Sequence, residues 1–314
     1  MSTYRLMILL ASTLTISFIN YNQGGDMSVA EVVMGTECST CSAADAVPSE
    51  EIRTFFSYAI TSQKSIHIGG KFLLESLNAG ENANIHTNGS MEMVGDSVQV
   101  NGYGTYSDLE NVAYEANFVP ENDINGGTQN LYKAPQIAMP SIDMDVLREQ
   151  ATVYIAGDFT IDGLDFPYTS LIQWAEAVGA PELTGTPIGD PFVLVVDGRL
   201  TLKNNINLIG FGILASTGEI HIQPGNSTDG VRGGLTPDNE TELALFSSAP
   251  IYVEGYVETV ATMVSDEEIR FFDAPKHTGS IAAPSAHFGT GDIPIFLHAK
   301  PNALITTGSW FKFD

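Results

Sequence analysis

The stretch Phe192-Val193-Leu194-Val195-Val196-Asp197-Gly198-Arg199-Leu200-Thr201-Leu202, echoed by Ser216-Thr217-Gly218-Glu219-Ile220-His221-Ile222, decides how this chain reads. In each, a small or β-branched residue and a variable one precede Gly, and apolar and polar positions then alternate. Alternation at period two marks a strand with one buried face. Glycine permits a positive φ where the chain turns a corner between strands. The unit recurs at Thr87-Asn88-Gly89-Ser90-Met91, Ile155-Ala156-Gly157-Asp158-Phe159, Val253-Glu254-Gly255-Tyr256-Val257 and Thr306-Thr307-Gly308-Ser309-Trp310, with a looser copy at Ile68-Gly69-Gly70-Lys71-Phe72. Gly218 lies 20 residues beyond Gly198, and Gly89 lies 19 beyond Gly70. An interval near ~20 residues is what one coil of a β-solenoid requires, each coil burying its face on the next. The remaining intervals are irregular, which predicts insertions between coils. The expected fold is therefore mainly β: an interrupted right-handed β-solenoid (β-helix) with short capping helices and an N-terminal hydrophobic helix. A β-sandwich also strings strands on glycine turns and is the competing arrangement.

A chain of 314 residues with 43% hydrophobic content has ample material for a core, which argues against wholesale disorder. Acidic residues number 38 against 13 basic ones, a formal net charge of −25. Such a surface repels phosphate backbones and anionic lipid, so no nucleic-acid partner is expected. At the N-terminus, Arg5 precedes the apolar run LMILLASTLTISFI of residues 6–19. That run is short for a membrane-spanning helix, which needs about 20 residues, and suits a signal or a membrane-held leader. Export to the cell envelope or beyond is the expectation, with membrane contact only through this segment. The organisation read from the sequence is a leader at 1–22, a linker at 23–48, a solenoid domain with a capping helix at 49–225, and a continuation of the solenoid or a small β unit at 226–314.

Helical patterns are few. Ser49 caps a predicted helix running to about Thr61, with Ile52, Phe55, Phe56, Ala59 and Ile60 at helical spacing. Two further helices are predicted over residues 142–151, behind Pro140-Ser141, and over residues 170–178, ended by Gly179 and Pro181.

Few residues suggest chemistry. Cys38 and Cys41 form a single C-x-x-C, which cannot close a tetrahedral zinc site alone; in an exported chain it reads as a disulfide candidate or as two spare thiols. Asp158, Asp162 and Asp165 are spaced as candidate metal ligands or as an acid/base pair of a β-helix glycosidase or lyase. In so acidic a chain, solvated turn carboxylates are the favoured reading. His67 and His221 each sit in an Ile-His-Ile triplet, pointing away from the apolar face, and coils stacked in register would align them in an outward column. Tyr103, Tyr106, Tyr114, Tyr252 and Tyr256 fall in or near strands, where they fill corners or stack on a partner. No G-x-S-x-G elbow or phosphate-binding glycine loop is present. No catalytic residue and no cofactor is assigned.

Three segments carry a family resemblance. Ile85-His86-Thr87-Asn88-Gly89-Ser90-Met91 with Val98-Gln99-Val100-Asn101-Gly102, Pro140-Ser141-Ile142-Asp143-Met144-Asp145-Val146-Leu147, and Phe192 to Leu202 with Gly210 to Ile222 resemble blocks of PilX-type pilus-associated bacterial surface proteins. The stretch is also similar to bactofilin-like polymer-forming proteins. The resemblance covers roughly residues 55–225 and implies a non-enzymatic envelope protein, pilus-associated or adhesin-like. Its implied partners are other envelope or pilus proteins and surface polysaccharide. A carbohydrate-active β-helix enzyme and a polymer-forming structural solenoid are the alternatives.

Overall fold

A computed structural model describes residues 15–19, 29–33, 54–108, 112–119, 130–163, 191–204, 206–208, 211–224, 229–273, 275–289, 295–306 and 310–312. The chain is mainly β, and most of its strands join one large sheet whose pairings are parallel except at the N-terminal strands. Parallel pairing puts strands of one orientation side by side, so each must be reached by a crossover. Here short corners join strands within a rung, longer segments such as residues 163–191 join some rungs, and the pairings resolve into three ladders.

The first ladder stacks Val153–Ala156, Phe192–Asp197, Gly212–Ser216, Leu243–Ser247 and Thr262–Ser265, then the start of Ile281–Phe288. It continues through the start of Ile60–Ser76 to Ile85–Thr87, Gly104–Tyr106 and Leu131–Lys133. The second ladder stacks Phe159–Asp162, Leu200–Lys203, Ile220–Gln223, Ile251–Val253 and Glu268–Phe271, then later parts of Ile281–Phe288, Ile60–Ser76 and Ser90–Val100. The third runs from Ile206–Leu208 through Asp229–Gly233, Glu258–Val260, Lys276–Thr278 and Ile295–His298 to the end of Ile60–Ser76. Strands from residues 229–298 thus occupy further rungs of the same ladders. The arrangement is consistent with a β-solenoid.

The rungs do not follow chain order. Ile60–Ser76 lies between Ile281–Phe288 on one side and Ser90–Val100 on the other. The chain therefore joins the ladders in the middle. Residues 60–133 lead to one end, residues 134–152 return to the other, and residues 153–298 fill in towards Ile60–Ser76.

Alternation gives each ladder one apolar face. Ile66, Ile68, Phe72, Leu74, Leu200, Leu202, Ile220, Ile222, Ile269 and Phe296 belong to a single buried cluster to which all three ladders contribute. A second cluster lies on the opposite face of the first ladder. There Val193, Val195, Ile213, Ala215, Ala244, Phe246, Val264 and Ala282 are covered by Phe55, Phe56, Ile142, Met144, Leu147, Ile305 and Trp310. The cover is made of α1 (Met144–Glu149), α2 (Ala303–Thr306) and the C-terminal segment. Ser141–Ile142 pairs antiparallel with Phe311–Lys312, and Asp143 N–H donates to Trp310 O at 2.7 Å. Among the described residues, no helix is long and apolar enough to cross a membrane.

Several expectations are corrected. Of the predicted helix ending near Thr61, only Thr54 and Phe55 are helical among the described residues, and strand begins at Ile60. The spacing of Phe55, Phe56, Ala59 and Ile60 mimics a helix because two different cores claim these residues: Phe55 and Phe56 enter the covering cluster, Ala59 and Ile60 the interior. The helix predicted over 142–151 shrinks to α1, capped by Asp143, whose Oδ1 accepts from the amides of Asp145 and Val146. Within the predicted linker, the valine-rich Val29–Val33 is a strand, pairing antiparallel with Thr15–Ile19 and with Tyr154 and Ile155. The helix predicted over 170–178, Asp165, Cys38, Cys41, Gly308 and residues 6–14 of the leader lie outside the described residues.

The glycine unit also changes meaning. Gly89, Gly157, Gly198 and Gly218 all sit at the corner between the first and second ladders, whereas Gly70 and Gly255 sit between the second and third. The 19-residue step from Gly70 to Gly89 therefore joins unlike corners, while the 20-residue step from Gly198 to Gly218 is one rung. Positive φ is adopted at Gly157 (84°), Gly70 (76°) and Gly255 (75°). Gly198 and Gly218 have no such φ and are required instead by close approach. A Cβ on Gly218 would lie 2.7 Å from Gly198 O, and one on Gly198 would lie 2.6 Å from the Gly157 carbonyl carbon. Beside them runs a serine column in register, Ser216, Ser247 and Ser265, whose hydroxyls donate to Gly198 O, Gly218 O and Ala249 O. Gly198 O also accepts from the Gly218 amide of the next rung at 2.9 Å, so the serine hydroxyls add a side-chain tie at the corner carbonyls.

Candidate functional site

The first ladder covers much of its outer face; the third carries an outward ion-paired set, Arg232, Glu258 and Lys276, and the second carries the longer mixed row. Its outward row is set by register: Thr160, Thr201, His221, Tyr252, Arg270, His287, His67 and Glu92 stand side by side on successive rungs. Adjacent strands lie about 4.8 Å apart, so the side chains form a continuous column rather than isolated groups. His67 and His221 do share this column, with three strands between them rather than as neighbours.

Carboxylates flank the row and knit it together. Glu219 lies 3.0 Å from His221 Nε2 and 3.2 Å from Arg199 Nε. Glu254 lies 3.3 Å from His221 Nδ1 and accepts from Gln223 Nε2 at 3.2 Å. Further along, Glu268 accepts from Tyr252 OH at 3.3 Å and from an Arg270 guanidinium N–H at 2.9 Å, with His287 Nε2 3.7 Å away. Glu92 closes the series, 3.0 Å from His67 Nδ1. The rings make contact as well: His221 and Tyr252 meet at 5.1 Å, and Arg270 lies 6.0 Å from the Phe272 ring. Burial, then Glu268, raises the Tyr252 pKa. Burial, followed by the Arg270 charge, lowers that of His287. These pairs are half-exposed, so each adds little to stability. What they do is hold flexible side chains in fixed positions, which lowers the ordering cost of a partner that docks there.

The aspartates singled out in the sequence serve the stack. Exposed Asp158 sits at the corner, and its Oδ1 accepts from Arg199 N–H at 2.8 Å. Asp162 is 8% exposed; its Oδ2 lies 2.8 Å from Lys203 Nζ, and its Oδ1 accepts from Asn204 Nδ2. Each carboxylate is thus committed to the neighbouring rung. Among the described residues, no three of His, Cys, Asp and Glu gather to hold a metal ion. Of the tyrosines, Tyr252 joins the row, Tyr106 is buried, Tyr256 is exposed, and Tyr103 contacts Tyr132 at 5.9 Å.

The other motif residues fasten the cover. Asp197 accepts from Tyr154 OH at 2.9 Å, Thr217 Oγ1 at 2.9 Å and Arg148 of α1 at 3.1 Å, and these bonds hold its pKa below the usual carboxylate value. His86 Nε2 lies 2.8 Å from Asn88 Oδ1. Asn88 in turn donates to Ile137 O at 2.7 Å and accepts from Ile137 N–H at 2.8 Å, pinning the returning strap. Arg270, Glu268, Glu219 and Glu254 were not singled out from the sequence. The signal was present in the outward phase of Glu268-Ile269-Arg270-Phe271, which alternates as cleanly as the histidine triplets. Comparison with family models, curated proteins and solved structures finds no match to this chain.

Proposed function

We propose that this chain is a non-enzymatic scaffold of the cell envelope, exported and pilus-associated or adhesin-like. In this reading it is a closed, right-handed β-solenoid that presents its second ladder to a partner. The observation that carries the proposal is the contrast between the outer faces of the first and second ladders. The first ladder spends its outer face on the chain's own helices and C-terminal segment, an apolar contact internal to the molecule. The second ladder keeps a mixed row of histidine, tyrosine, arginine and glutamate in solvent, locked by ion pairs among themselves. Closure is supported by the single interior cluster that draws on all three ladders. Commitment of Asp158 and Asp162 to structural bonds favours a scaffold over a hydrolase or lyase. Tyr, Arg and His in a fixed row suit another envelope or pilus protein, or a surface polysaccharide.

Cell fractionation tests the location: the protein belongs in the envelope or in sheared surface fibres, and recovery in the cytosol rejects the reading. The paired substitution Tyr252→Ala with Arg270→Ala tests the surface. It should leave the circular dichroism spectrum unchanged and lower attachment to cells or fibres; unchanged attachment counts against the second ladder.

A further inference from the structure

Where the returning strap passes over the corner between the first and second ladders, it leaves a half-open cleft of about 380 Å³. Gln136 to Ser141 form one wall, and Gln63, Asn88, Asp266 and Pro284 the other. Both ends of this strap are fixed by hydrogen bonds, through Asn88 to Ile137 and through Ile142 N–H donating to Asp266 Oδ1 at 2.9 Å. The cleft is therefore held open by the fold, and its volume lies within the ~300–1,000 Å³ common for small-molecule sites.

We propose that this cleft binds a neutral sugar, one hexose unit or the end of a short oligosaccharide. The chemistry of its walls matches that ligand. Primary amides at Gln63 and Gln136 offer donors and acceptors together, which matches hydroxyls that are both at once, while the Asn88 amide is committed to His86 and Ile137 and fixes the wall. Asp266 supplies an acceptor for a pair of adjacent hydroxyls. Met139 and Pro284 supply the apolar patch on which the C–H face of a pyranose packs. The lining contains no lysine or arginine, so an anionic ligand would meet only the Asp266 carboxylate. The inference concerns a site separate from the exposed row and does not rest on the location proposed above.

The test is a nuclear magnetic resonance titration of the full chain, following Asn and Gln side-chain amides. The probes are mannose, galactose and N-acetylglucosamine as neutral sugars, with glucuronate and glucosamine as charged counterparts. Expected is saturable movement of the Gln63 and Gln136 amides and the Ile137 backbone by a neutral sugar, with a dissociation constant near about 1 mM. Gln63→Ala should weaken it about fivefold, the loss of one hydrogen bond. Ala138→Trp, at an exposed position of the strap, should fill the cleft and abolish binding while the Ile142 amide signal stays in place. The proposal is overturned by no movement of these signals with any neutral sugar up to about 50 mM. Tighter binding of glucuronate or glucosamine, or movement confined to the Tyr252 and His287 row, overturns it equally.

Discussion

His67 and His287 are register partners on adjacent strands, their ring centroids 6.0 Å apart, although one comes from the first long strand of the ladders and the other from the last rung laid down in chain order. Each faces its own carboxylate, Glu92 for His67 and Glu268 for His287. Arg270 stands on the far side of His287 in the same row. The groups around His287 therefore pull in both directions: burial, Arg270 and His67 disfavour its imidazolium, and Glu268 favours it.

Replacing Arg270 by Gln should raise the His287 pKa towards the ordinary histidine value, and replacing His67 by Gln should raise it by less. Proton resonances of the histidine rings followed through pH would measure both. A His287 pKa that stays put or falls in Arg270→Gln would mean that the row is not in electrostatic contact as described.

How much of this was legible beforehand depended on distance along the chain. The corner between the first and second ladders was readable at Gly198 and Gly218, where stacked backbones leave no room for a Cβ, and at Gly157, where the backbone takes a positive φ. Equivalent corners at Ala249, Glu267 and Pro284 carry no glycine, so the same rungs were silent in the sequence. The placement of Ile60–Ser76 beside Ile281–Phe288 was not readable either. Parallel pairing is made by backbone groups that every residue carries, and the local pattern of a strand does not name its neighbour. The outward row was half legible. Alternation gives the phase of His67, His221 and Arg270, but which rung touches which follows from pairings across the whole chain. Phe55 and Phe56 misled because an apolar pair over a second core imitates a helical stripe.

The two kinds of corner glycine should respond differently to substitution. Gly157 needs a left-handed backbone but has open space around its Cβ position, so Gly157→Asn should cost below about 1 kcal/mol. Gly218 has an ordinary backbone but faces Gly198 O at 2.7 Å, so Gly218→Ala should cost about 1–3 kcal/mol as the rungs are forced apart. Urea unfolding midpoints of the two variants would decide. Equal losses, or a larger loss in Gly157→Asn, would contradict the assignment of one glycine to conformation and the other to packing.

Acid should loosen the stack through two histidines of the interior. His277, buried against Phe271 and Phe296, has its pKa pushed down to about 3 by burial, and His298 is pushed down to about 4. His277 Nδ1 meets Thr259 Oγ1 at 2.7 Å, while the Nε2 atoms of both histidines are buried without a hydrogen-bond partner. In the unfolded chain each ring returns to the ordinary value of 6.5, so on acidification the unfolded state takes up protons first. The stability held by the neutral rings is complete above about pH 6.5 and is lost as pH falls, down to about pH 4 for His298 and about pH 3 for His277. The loss is about 1.4 kcal/mol per pH unit for each histidine in its window. Much of this lies above the pH at which Asp197, depressed below the ordinary carboxylate value, titrates in the folded state. Urea midpoints measured from pH 7.5 to 4.5, values chosen to span about this window, should therefore fall steadily. His277→Phe, which suits a site already lined by phenylalanine, should flatten the slope by its own share while keeping the midpoint at neutral pH near that of the parent. An unchanged slope in that variant would mean that the ring reaches solvent and protons without the rungs separating.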